Sequence, residues 1–129
     1  MIKELHVQEN LAQVGEEVGL ELGTQMIKSY REANPTDVQW YMIGREIIEK
    51  ILMQPGCAGL KFYNAYNEAG QKTLVYVGID QNGKAILEYS VVNVEGQLSE
   101  EKGIVADRVR IPTIRVEESI IGDDNIFAE

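Results

Sequence analysis

Cys57 is the first residue to weigh for chemistry, because it follows a helix-ending Pro55-Gly56 pair in a short glycine-rich stretch where a nucleophile could be displayed. A thiol is activated at a helix N-terminus or beside a cation or base, whereas Cys57 follows a C-terminus, whose partial negative charge disfavours the thiolate. The one histidine, His6, is the single candidate base and lies far away in sequence. Cys57 therefore reads as a small packing residue, with thiol chemistry as the minor alternative. Structural zinc takes several nitrogen or sulfur ligands, and one His with one Cys does not supply them. The order Asp80-Gln81-Asn82-Gly83 with Glu88 has calcium-loop elements, but its glycine comes two positions early and its flanks read as strands.

Adjacent acids at Glu16-Glu17, Glu100-Glu101, Glu117-Glu118 and Asp123-Asp124 point in different directions and read as solvated charge. The chain contains no glycine-rich phosphate loop, nucleophile elbow or zinc-helix motif, so an enzyme is the less favoured class. No cofactor is implied. Two arginines, Arg108 and Arg110, alternate with Val109 and Ile111 and share a face if this segment is a strand. They could hold an anion, or pair with the chain's own carboxylates.

Composition narrows the classes further. The 129 residues are 44% hydrophobic, enough for a core without disulfides or metals, and one domain is the expectation. Asp and Glu number 21 against 12 Lys and Arg, and the net charge of −9 repels phosphate backbones and anionic lipid. Nucleic acid and membrane surfaces are thus not expected partners. Apolar runs are too short to span a bilayer, the N-terminus lacks a signal-peptide pattern, and a single cysteine suits a reducing compartment, so the expected location is cytoplasmic.

The elements that would position these residues follow from periodicity. A helical period runs from Glu16 to Ala33, with Leu22, Met26 and Tyr30 on the apolar side, and predicts packing on a core. Asn34 and Pro35 then read as the cap and first position of a second helix, Pro35 to about Gln54, with Trp40 and Gly44 central to its apolar arc. Glycine is costly mid-helix, so Gly44 predicts a close neighbour. Period 2 takes over at Leu60 to Tyr66, Lys72 to Asp80 and Ala85 to Val94, which predicts an antiparallel meander. Asn82-Gly83 predicts a type I′ hairpin turn. The middle strand is apolar on both faces and should be covered on both. Residues 94 to 102 read as a loop, and Ile104 to Val116 as a fourth strand, kept to an edge by Pro112. Residues 1 to 15 lean towards a short helix, residues 117 to 129 form an acidic tail, and no internal repeat is evident. The predicted class is α+β, with two N-terminal helices packed on an antiparallel β-meander and a fourth C-terminal strand.

Two functions of different class fit this reading. The first is a non-enzymatic module that docks a partner protein or self-associates, with a homodimer as one form. It would use apolar residues left over once the core is assigned: Met42, Met53, Ile120, Ile121, Ile126 and Phe127. The acidity would favour a basic partner. The alternative is a small-molecule binder or modest enzyme with a pocket between helices and sheet. Trp40, Tyr63 and Tyr76 would line it, and Arg108 or Arg110 would hold an anionic ligand.

Overall fold

The computed structural model describes residues 10–112 and 126–127, so His6, Ile120 and Ile121 lie outside the described residues. The class is α+β, and the chain divides into two compact units.

One unit comprises residues 1–14 and 42–110. It contains a single 3-10 turn, Leu11–Gln13, in which the Ala12 N–H donates to the Asn10 side-chain oxygen at 3.1 Å. The other unit, residues 15–41 and 111–129, contains α1, Gly19–Ala33. The 3.6-residue period places that helix well. No residue of α1 is buried, however, so the core expected beneath Leu22, Met26 and Tyr30 does not enclose them.

The second helix, α2, is Arg45–Leu52, ten residues later at its start than the sequence predicts. Asn34 ends α1 instead of starting α2, its N–H donating to the Tyr30 carbonyl at 2.8 Å. The Asp37 N–H then bonds to the Asn34 carbonyl, and the Gln39 side-chain amide donates to the carbonyls of Asn34 and Asp37. Those bonds satisfy backbone groups that a continuous helix would have used, so a turn replaces the predicted helical residues. Trp40 and Met42 lie outside any helix, and Met42 pairs as an isolated antiparallel bridge with Arg110. Gly44 is the N-cap of α2, in extended geometry, and among the described residues nothing stands where the close neighbour predicted for it would be.

After α2 come β1, Gly59–Tyr66, and β2, Lys72–Ile79, paired antiparallel without interruption from Gly59 against Ile79 to Tyr66 against Lys72. Residues directly opposite share a face. Leu60, Phe62, Asn64 and Tyr66 therefore lie with Gly78, Tyr76, Leu74 and Lys72, and Lys61, Tyr63 and Ala65 lie with Val77, Val75 and Thr73. The middle strand is buried on both faces, at Tyr76 and at Val77. Ile51 of α2 is wholly buried against Tyr76, with Ile43, Ile47, Cys57, Leu60, Ile104 and Val109 around it. Gly78 lets α2 approach, because a Cβ there would stand 3.0 Å or less from Ile51, Gln54 and Cys57.

The predicted meander is only half realised. β3, Glu88–Val92, leaves β2 after one bridge, Ile79 with Ala85, and pairs with β4, Leu98–Lys102, as a separate two-stranded sheet. The predicted loop at 94 to 102 thus holds a strand. The free edge of β2 goes to β5, Val105–Ala106, which pairs with Val77 and Tyr76. The predicted strand from Ile104 is this two-residue element, and residues 113 to 116 lie outside the described residues.

Three turns explain the pattern. Asn67, Asp80 and Asn93 stand 13 residues apart, and each is followed three positions later by a glycine with φ of +77 to +79°. In each, the side-chain oxygen accepts from the N–H groups two and four positions ahead at 2.8 to 3.0 Å, and the glycine N–H bonds back to the first carbonyl. Asn82 has no positive φ, so its turn is a type I turn closed by a left-handed glycine and not the type I′ turn predicted. A repeat absent from the sequence reading is thereby present at the turns, where Asn-x-x-Gly-Gln occurs at both 67 and 93.

Candidate functional site

β1 is a strand with unspent bonding capacity. In the order β1-β2-β5 it is an edge strand, and among the described residues no strand takes its outer side. At the hairpin turn the Asn67 N–H donates to the Gln71 carbonyl. Antiparallel bonds alternate along a strand, so the odd-numbered residues of β1 bond to β2, and Leu60, Phe62, Asn64 and Tyr66 direct their N–H and C=O groups outward.

Aromatic side chains flank that edge. Phe62 packs on the buried Tyr76 ring at 5.9 Å between centroids, yet remains 48% exposed, and Tyr66 is 79% exposed. On the opposite face the Lys61 ammonium lies 5.8 Å from the centre of the Tyr63 ring and 3.5 Å from the Gly83 carbonyl, drawn towards its own unit. No carboxylate lies on either strand of the hairpin, and the one acid between them, Glu68, is in the turn.

Glu68 is engaged. Arg108 has a φ of 70°, left-handed and costly for a side chain with a Cβ, which swings its guanidinium onto Glu68 as a two-pronged pair at 2.7 Å on each prong. The Arg108 hydrogen bonds, then Glu68's own backbone N–H, then the arginine charge hold this carboxyl at about 2, against an ordinary 4.5. Because the folded value lies below the unfolded one, the pair's contribution is complete above about pH 4.5 and is lost as pH falls towards 2. In an NMR pH titration the Glu68 carboxyl is expected to titrate near 2, and to move up towards its ordinary value in Arg108→Gln, where only the backbone hydrogen bond still lowers it. Unchanged titration in the variant would show that the guanidinium is not the cause. The self-pairing expected from sequence is thus met at Arg108.

Within the sheet-bearing unit the other residues expected to line a ligand pocket do not converge. Tyr63 and Tyr76 stand on opposite faces of the sheet. Burial, and then the Asp107 carboxylate, push the Tyr76 phenol above its usual range, which keeps it protonated and unsuited to act as a base. Arg108 is committed to Glu68, and Arg110 is placed by backbone bonds to Met42 after the chain has already left β5. The two arginines therefore do not share a strand face. Trp40 belongs to the other unit. Cys57 is half-buried, with its thiol donating to the Gly59 carbonyl at 3.3 Å. Among the described residues no group of His, Cys, Asp and Glu could hold a metal ion, and no helix is long and apolar enough to cross a membrane.

The residues expected to form an interaction surface divide. Met53, at the end of α2, is 82% exposed and Met42 is 49% exposed. In the other unit Phe127 is exposed but Ile126 is buried, so Ile126 is not available as surface. The edge of β1 was missed because alternation marks a strand without saying whether its second neighbour exists. The signal open to sequence was charge: residues 50–67 are the longest stretch without Asp or Glu, and they enclose β1. Comparison with protein-family models, with curated proteins and with solved structures finds no match to this chain.

Proposed function

We propose that this chain is a non-enzymatic interaction module that self-associates or docks a partner protein. The observation that carries the proposal is the amount of apolar side chain left outside the core of its sheet-bearing unit. Phe62, Tyr66, Met42, Leu52, Met53, Val92, Val94 and Leu98 are all exposed there, and the same unit has, at β1, a strand edge that no described strand occupies. Apolar surface of this extent, in a unit that also has an open strand edge, is characteristic of contact with another chain. The candidate chemical groups support the same reading by their dispersal: the arginine is neutralised, the tyrosines diverge and the thiol bonds to a nearby carbonyl.

Sedimentation velocity at tens of micromolar tests it, together with affinity capture. A species heavier than the 14.5 kDa chain, or reproducible capture of a defined protein that is lost when Met53 and Phe62 are changed to polar residues, is the expected result. A strict monomer that captures nothing would overturn the proposal.

A further inference from the structure

We infer that the outer edge of β1 pairs with the same edge of a second copy, antiparallel and about a two-fold axis at Tyr63. The inference rests on the module reading above and names its partner and its surface. The outward N–H and C=O groups of Leu60, Phe62, Asn64 and Tyr66 form a row at strand spacing, and only another extended backbone satisfies such a row in sequence.

Natural edges of this length are usually guarded by proline, a bulge or an outward lysine. β1 has no proline, keeps continuous register with β2, and turns its one lysine onto Tyr63 and the Gly83 carbonyl.

Charge points to a second copy as the occupant. Two chains of net charge −9 repel wherever carboxylates face each other, and residues 50–67 hold two lysines and no acid, so this is the stretch where two copies meet with least repulsion. The strand also fits itself. With Tyr63 opposite Tyr63, Leu60 falls opposite Tyr66, Phe62 opposite Asn64, and Lys61 opposite Ala65. No like charges are then opposed, and the even-numbered residues take the hydrogen-bonded positions that their outward groups require. The pairing joins the two three-stranded sheets into one of six strands, and brings Phe62 and Tyr66 of each copy alongside those of the other.

Two variants test this in the full chain. Asn64→Pro removes an N–H that does not bond to β2 and places a ring on the outer edge, so the dimer should be lost at tens of micromolar while circular dichroism stays that of the folded chain. Tyr63→Cys, in a Cys57→Ser background, should give a disulfide-linked dimer on mild oxidation, because directly opposite residues at a non-hydrogen-bonded position approach within disulfide range. Ala65→Cys in that background faces Lys61 and should not cross-link. The Tyr63→Cys result decides if Asn64→Pro fails to fold. If the parent chain dimerises, but Asn64→Pro dimerises equally and Tyr63→Cys does not cross-link, the β1 pairing is overturned while the module reading stands. A monomeric chain that captures a different protein has the same consequence. A monomer that captures nothing overturns both.

Discussion

Gly103→Ala is expected to lower the thermal midpoint by roughly 10 °C or more, the largest effect of any glycine-to-alanine change among the described residues. A Cβ built on Gly103 would lie 1.8 Å from the Ile86 carbonyl oxygen, 2.6 Å from its carbon and 2.9 Å from the Leu87 Cα. All three are backbone atoms, so no side chain can rotate aside. The Gly103 N–H donates to the Leu87 carbonyl at 2.8 Å, and the next N–H, of Ile104, donates to the Gln54 side chain, also at 2.8 Å. Separating the two segments enough to admit the methyl breaks both bonds and pulls β5 from Tyr76 and Val77. Ordinary overpacking costs about 1–3 kcal/mol, and a backbone clash with coupled hydrogen-bond loss belongs at or above the upper end. For a unit of the size of residues 1–14 and 42–110 each kcal/mol moves the midpoint by about 4–8 °C. Gly59→Ala is the control: its Cβ would meet only Ile79, at 3.9 Å, so little change is expected. Equal melting of the two variants would show that the crossing of residues 86 and 103 does not constrain the fold.

Ile51→Ala is expected to cost about 2–5 kcal/mol and Ile51→Val about 0.5–1.5 kcal/mol, read as shifts in the urea midpoint at constant slope. Ile51 has no exposed surface and is the residue through which α2 meets Tyr76 and Ala106. Eight residues make too short a helix to persist alone, so α2 depends on this contact. Gln54 follows it, buried, with its amide donating to the Ile51 carbonyl and its oxygen accepting from Ile104, and therefore shares in any displacement. The graded pair of substitutions separates a cavity effect from a general loss of hydrophobicity. Alanine and valine variants of equal stability would mean that α2 is held by something other than Ile51.

Both effects arise where segments far apart in sequence meet, and such places were the least legible beforehand. The α1 helix was visible because its 3.6-residue period is carried by neighbours within the helix. β1 and β2 were visible because alternation and an Asn-to-Gly turn specify a hairpin over a short span. The start of α2 was not, since Gln39 and Asn34 divert the chain through bonds that no propensity anticipates. The candidate site divides in the same way. Self-pairing of an arginine was expected from charge balance, but its partner, Glu68, is 40 positions away, and a left-handed backbone at Arg108 is needed to reach it.

By itself the sequence determined the α+β class, the two strands of the central hairpin, the acidity, and the positions of the turns at Asn67 and Asp80. Each of these is written in residue types acting within a few positions: period, cap, left-handed glycine, charge. Tertiary structure alone decided that β5 and not β3 lies beside β2, that β3 turns away to β4, and that β1 keeps an outer edge that no described strand takes. Strand partners are chosen by competition among segments for the same row of hydrogen bonds. The winner depends on which backbones can pass closely, as at Gly103 over Ile86, and the order of the residues does not record that.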